Sequence, residues 1–208
     1  MKIRPIIFSA PMVRALLAGT KTQTRRLMKI RSIDGKLVTI HPPESLVLFD
    51  EADGTKSLQY VSTAAMSGPY RLPYQSGDHL YVRESWRPVH SCDPTRGARY
   101  MADVDRDQTV WRPSIHMPRW ASRLTLEVTD VRVEALQSIS KADVMSEGIR
   151  EMHGQPLADV WGGWHEPYAA LWERLHGRGS WAVNPFVIAV AFKVHQVNVD
   201  KMIGEKAA

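Results

Sequence analysis

The sequence predicts an α+β protein, mainly β: a small β-barrel with two or three helices on its flanks and hairpins inserted between its strands. Two observations carry this. Short apolar segments with strand character outnumber helical ones, and Gly, Pro, Asn or Asp turns separate them. The clearest segment, Leu124-Thr125-Leu126-Glu127-Val128-Thr129-Asp130-Val131, alternates with period two, which places Leu124, Leu126 and Val128 toward a core.

The elements follow in order. Ile6-Ile7-Phe8 reads as a short buried strand. A helix follows from about residue 10 to 18, with Ser9 as N-cap, Pro11 in the first turn, Leu16 and Leu17 in the body and Gly19 as its stop. Thr20, Thr22 and Thr24 recur at alternate positions and suit a pleated strand, which would put Thr24 and Arg26 on one face. Residues 30–75 read as an insertion. It holds a hairpin of Met28-Lys29-Ile30 and Leu37-Val38-Thr39-Ile40 around Asp34-Gly35, closed by His41-Pro42-Pro43. A polar loop from Asp50 to Lys56, a strand from Ser57 to Ser62 and a turn at Gly68-Pro69 complete it.

His79 to Trp86 reads as a strand entering the core, broken by Pro88 and a loop from Ser91 to Gly97. Tyr100-Met101-Ala102 and Thr109-Val110-Trp111 form a second inserted hairpin, within a smaller insertion at about 91–115. Ser140 caps a helix from about 141 to 147, with Asp143 as its capping-box acid and Gly148 as its stop. Tyr168 to Leu175 reads as an amphipathic helix burying Leu171, Trp172 and Leu175. Trp161-Gly162-Gly163-Trp164-His165 reads as a packed loop, and Phe186 to Val194 as the last strand. The expected organisation is a single domain over 1–198 and a flexible polar tail over 199–208.

Composition narrows the function classes. A hydrophobic content of 44% supports a buried core rather than disorder. No apolar run approaches the roughly 20 residues of a membrane helix, and no apolar stretch follows the N-terminal charges as in a signal peptide. Cys92 is the only cysteine, which excludes an internal disulfide and a CxxC metal site. A reducing cytoplasm fits, with no membrane partner. The formal net charge is +5. Arg4, Arg14, Lys21, Arg25, Arg26, Lys29 and Arg31 crowd the first 31 residues, where no Asp or Glu occurs. Unless distant acids pair with it, this segment makes a positive surface that attracts phosphate or nucleic acid. The histidines show no HExxH grouping, and there is no P-loop and no G-x-G-x-x-G, so neither metal nor cofactor is expected. Asp103, Asp105 and Asp107 alternate like cation ligands but lack the rest of an EF-hand, and read as a solvated hairpin tip.

The stretch Gly19-Thr20-Lys21-Thr22-Gln23-Thr24-Arg25-Arg26 is the densest in chemistry. A lysine and a threonine held together can form a nucleophile and its proton acceptor; the plain alternative is an exposed, solvated strand. Gly19, Lys21, Thr24 and Arg26 fill the G-x-K-x-x-[TE]-x-R signature, and here the chain resembles the ASCH family of the PUA-like group. Phe8 to Gly19, Gly77 to Val82, Leu124 to Val133, Leu136 to Ile149 and Val187 to Val194 resemble further family blocks in the same order. Pro118 to Arg123 and Gly179 to Pro185 look like those of longer phage and prophage members.

The resemblance implies a PUA-like barrel. It also implies the activity of one family branch, metal-independent hydrolysis of the amide of N4-acetylcytidine or a related N4-acylated cytosine nucleoside. The catalytic residues it implies are Lys21, Thr24 and Glu147. Arg26, Tyr81 and Trp86 are expected to bind the substrate, a modified pyrimidine nucleoside. Thr24 would attack, with Lys21 as base; Glu147 would orient Lys21, place a water or shuttle a proton; Arg26 or backbone N–H groups near the Gly19 turn would steady the oxyanion. The other reading is a non-catalytic or RNA-cleaving module, in which the basic N-terminal region holds an RNA backbone and Tyr81, Trp86 or Trp120 stacks on bases.

Overall fold

The computed structural model describes residues 1–31, 37–39, 45–50, 56–61, 70–89, 97–104 and 110–206. The strands in chain order are β1 (Ile3–Ile7), β2 (Gln23–Leu27), β3 (Lys29–Arg31), β4 (Leu37–Thr39), β5 (Ser45–Asp50), β6 (Lys56–Val61), β7 (Tyr70–Arg71), β8 (His79–Arg83), β9 (Trp86–Pro88), β10 (Ala98–Tyr100), β11 (Thr125–Ala135), β12 (Glu151–Met152), β13 (Gln155–Pro156) and β14 (Phe186–His195). The helices are α1 (Ala10–Leu17), α2 (Lys141–Ser146), α3 (Glu166–His176) and α4 (Val199–Lys206). The protein is α+β, with a mixed five-stranded sheet in the order β1-β8-β11-β14-β2. β1 and β8 run parallel, whereas β11 with β8 and β14 with β2 are antiparallel. β1 and β2 end the strand order, and no closed barrel is found among the described residues. No helix among them is long and apolar enough to cross a membrane.

The chain divides into two compact units. The first comprises Met1–Thr22, Ser76–Thr129 and Phe192–Ala208; the second comprises Gln23–Gln75 and Asp130–Ala191. β11 and β14 each contribute residues to both.

In the first unit, α1 buries Val13 and Leu16, one helical turn apart. Ser9 precedes it in an extended conformation but makes no side-chain cap; Pro11, near the start, preorganises the first turn instead. Gly19 ends the helix at φ +69°, a left-handed conformation that suits glycine. The chain then folds back, and the N–H groups of Thr20 and Lys21 both donate to the Ala15 carbonyl. β8 is shorter than the sequence implied and stops at Arg83. Glu84 follows, buried, and Arg123 grips its carboxylate through Nε and Nη2 at 2.9 and 3.1 Å. Burial raises the Glu84 carboxyl above its ordinary value despite that arginine. The same guanidinium reaches Asp103 at 2.8 Å, so Asp103 closes an ion-pair triad rather than a free hairpin tip. The partner of β10 is β9, not the 109–111 segment; Trp86 instead bridges to Arg112. Trp86 donates to and accepts from Arg112 at 3.2 and 2.9 Å, while the Met101 N–H donates to the Ser85 carbonyl on the β10 side, a choice that local sequence does not encode.

The expected flexible tail is helix α4, which buries Val199 and Met202. Only two well-buried apolar positions anchor it, so its composition reads as polar. Asn198 fixes its start. The Asn198 Oδ1 accepts the Asp200 N–H at 2.9 Å, and its amide donates to the carbonyls of Arg119, Trp120 and Ser122 at 2.9, 3.3 and 2.8 Å. Arg119 pairs with Asp200 across the same contact.

In the second unit, β3 and β4 form the expected hairpin, β6 matches the strand expected at 57–62, and β5 is an additional strand paired to it. α2 carries the complete capping box of Ser140 and Asp143, and Gly148 follows at φ +93°. α3 buries Tyr168 and Trp172, an i, i+4 pair, in a core with Leu136, Ile139, Val144, Leu157 and Val187. Leu175, expected inside, is exposed because the buried stripe runs one turn earlier than the sequence reading placed it. Trp161 is 100% exposed, so the Trp-rich loop packs through Trp164, which lies against that core, and through His165, whose ring stacks on Trp181. The Asp34-Gly35 turn, His41-Pro42-Pro43, most of the Asp50 to Lys56 loop, Gly68-Pro69, Cys92, Asp105 and Asp107 lie outside the described residues.

Asn198→Ala should destabilise the protein by about 1–3 kcal/mol, from the lost cap and the lost amide bonds to the Arg119, Trp120 and Ser122 carbonyls. A urea titration should show a lower midpoint at unchanged slope. Asn198→Asp, which keeps the cap but sets an acceptor against three carbonyls, should lose at least as much.

Candidate functional site

The site is clearest in the second unit, around β2. Successive residues of a strand point to opposite faces, so Gln23 and Arg25 share one face while Thr24 and Arg26 share the other. The register of β2 on β14 agrees: Thr24 lies opposite Val190 and Arg26 opposite Ile188, while Arg25 lies opposite Ala189 and Gln23 opposite Ala191. The small alanines leave room beside Arg25 for long side chains.

Three carboxylates occupy the space around Arg25. Glu134 accepts from its Nε at 3.0 Å and its Nη2 at 2.5 Å. Asp143 lies 3.3 Å from Nη2, and Glu147 accepts from Nη1 at 3.3 Å. The Arg25 side chain is 0% exposed. Burial works to lower the guanidinium, but Glu147 and Glu134 outweigh it and raise it above its ordinary value. Asp143 serves two structures at once. Its Oδ2 completes the capping box with Ser140, and its Oδ1 accepts from the Gln23 amide and from Arg132, each at 3.1 Å. Burial pushes its carboxyl up, yet the Ser140 hydroxyl and N–H, the Arg25 charge and the Gln23 amide win and hold it well below the usual carboxylate range.

Glu147 caps the C-terminus of α2, and its N–H donates to the Asp143 carbonyl at 2.8 Å. Arg26 is half-buried. Desolvation draws its guanidinium below its ordinary value, more than Tyr74, Glu147 and Tyr168 draw it up. Burial and then the Glu147 charge raise the Tyr168 phenol well above its ordinary value, so it stays protonated at neutral pH. Burial, with Arg26 and Lys29, lowers the His176 imidazole, which lies 4.2 Å from the Trp172 ring and is neutral at pH 7.

The expected residues fall in both units. Thr24, Arg26 and Glu147 belong to the second, and Lys21, Tyr81 and Trp86 to the first. Lys21 sits in the fold-back after α1, with its amine 5.7 Å from the centre of the Phe8 ring. Tyr81 is half-buried on β8, and the Arg119 guanidinium lies 6.0 Å from its ring. Trp86 is buried with Met117 and Ala121, so its faces serve packing. Lys21, Thr24 and Glu147 are 1%, 4% and 7% exposed. The expectation of a positive N-terminal surface changes accordingly: Lys21 and Arg25 are internal, and distant acids pair with Arg25. Sequence reasoning did not assign Glu134, Tyr168 or His176 to the site, and read Asp143 only as a cap. The local signal was the single alternation Gln23-x-Arg25 beside the signature positions. Chemically, the second unit offers a carboxylate held by a guanidinium on one face of β2, a hydroxyl and a second guanidinium on the other, and a neutral phenol on α3. Groups of these kinds transfer protons and stabilise a developing oxyanion.

Asp143→Asn should cost about 1–2 kcal/mol at pH 7. Because the native carboxyl is held below its ordinary value, its contribution is present above about pH 4 and fades as pH falls through the depressed native value. Urea midpoints of parent and variant should therefore converge in acid; a gap that is constant from pH 7 to pH 2 would contradict this account. Set beside protein-family models, curated proteins and solved structures, the chain matches none, so these residues carry the functional argument by themselves.

Proposed function

We propose that the protein is a metal-independent amidohydrolase of the ASCH type, built on a PUA-like domain. It would remove the acyl group from N4-acetylcytidine or a related N4-acylated cytosine nucleoside. One observation carries the reading: Lys21, Thr24 and Glu147, which the resemblance singles out, are all buried. A solvated strand, the plain alternative, would leave the lysine and threonine open to water. Burying polar groups of this kind is costly and is most readily understood where they have work to do.

In this reading the Thr24 hydroxyl attacks the acyl carbon and gives its proton to the Lys21 amine, a role that requires the neutral amine. The C–N4 bond breaks, and the departing nitrogen takes the proton that Thr24 gave up, handed on from the Lys21 amine through the Glu147 carboxylate. Water then hydrolyses the acyl-threonine ester and releases acetate. Arg26 supplies positive charge to the oxyanion.

One observation favours the RNA-binding alternative. Trp120 is 40% exposed and stands edge-on against buried Trp86, with ring centres 5.8 Å apart. A braced, exposed indole can stack on a base; Trp86 itself is too enclosed to do so.

Incubation with N4-acetylcytidine should release cytidine and acetate. Lys21→Ala and Thr24→Ala should each lower kcat by about 10²-fold or more, and Thr24→Ser should retain part of the rate. A folded parent that releases no acetate, yet binds single-stranded RNA with a steep salt dependence, would instead establish the binding module.

A further inference from the structure

Arg25 lies between two positions of the signature and is not one of them. Its surroundings nevertheless single it out. Glu134 clamps one edge of the guanidinium through Nε and Nη2, and Asp143 lies against the same Nη2. That edge is fixed by β11 and by the start of α2. The remaining nitrogen, Nη1, is offered to Glu147 at 3.3 Å, a longer contact than either Glu134 bond. The clamp is therefore asymmetric: strong where it orients the guanidinium, weaker where it meets the proposed catalytic acid.

Glu147 needs such a partner. It sits at the C-terminal end of α2, where the negative end of the helix dipole disfavours an anion, and Glu134 and Asp143 share the same guanidinium. Without Arg25, the three carboxylates would lose a cation that reaches all of them, although Arg132 would still pair with Glu134 and Asp143. We infer that Arg25 is the positioning residue for Glu147: Glu134 and Asp143 fix the guanidinium, and the guanidinium fixes where the Glu147 carboxylate lies. This rests on the amidohydrolase reading. In that reading it gives the fork of Arg25 a task that the charge alone of a lysine cannot perform.

The test uses the full chain and the variants Arg25→Lys, Arg25→Met and Glu134→Gln, each checked for folding by its thermal midpoint. On N4-acetylcytidine, Arg25→Lys and Glu134→Gln should lose about tenfold in kcat, and Arg25→Met about 10²-fold, with KM unchanged in all three. Guanidinium ion at millimolar concentration should restore part of the rate of Arg25→Met and none of that of Arg25→Lys. A purely structural role would move stability without this split or rescue. A second readout needs no turnover: carbodiimide labelling of Glu147, followed by mass spectrometry, should be slow in the parent and several-fold faster in Arg25→Met. If Arg25→Met fails to fold, the Lys and Gln variants decide. Folded Arg25→Lys and Glu134→Gln with parental kcat, or equal labelling of Glu147 in folded parent and Arg25 variants, would overturn the inference. A parent without hydrolytic activity whose Glu147 still labels faster once Arg25 is changed would refute the amidohydrolase reading and leave the hold of Arg25 on Glu147 standing.

Discussion

A guanidinium with no exposure to water is the constraint around which the second unit is organised. Arginine cannot shed its charge to escape burial. The chain must therefore bring anions to it, since desolvating an ion costs several kcal/mol that only close, well-aligned partners offset. Three acids do so, from β11 and from the two ends of α2. Their demands fix the edge strand, the long central strand and the short helix against one another. Removing the cation would take away a charge that reaches all three acids, so the cluster tolerates little drift in any of the three elements. Thr24 and Arg26, on the other face of the same strand, inherit that rigidity.

Much of the secondary structure was legible in the sequence because its signals are local. The alternation after Leu124 marks β11, Ser140 and Asp143 mark the start of α2, and Gly19 marks the end of α1. Thr24 and Arg26 on a common face followed from strand periodicity alone. What escaped notice depends on partners far along the chain. Glu134 and Glu147 lie 109 and 122 residues from Arg25, and no local pattern announces such a meeting. β10 pairs with β9 rather than with the 109–111 segment for a similar reason, since two candidate strands look alike until the fold chooses. α4 was missed because two buried side chains and one asparagine suffice to dock it.

The acid-free N-terminal segment shows how charge in a sequence differs from charge on a surface. Its composition invites a polyanion. Folding withdraws Lys21 and Arg25 from solvent, so part of the apparent positive field is spent inside the molecule. An interior cation is held by specific neighbours and is far less screened by salt than one on the surface. The same residues thus move from an argument about long-range attraction to one about geometry at short range.

The first unit is assembled from three separated stretches, Met1–Thr22, Ser76–Thr129 and Phe192–Ala208. During synthesis the nascent chain therefore presents β1 long before β8, its parallel neighbour, and α4 later still. Neither unit can be completed before β14 is made, because β14 supplies residues to both. β2 pairs with β14, far along the chain, so the strand is made long before its partner and this edge of the sheet forms late.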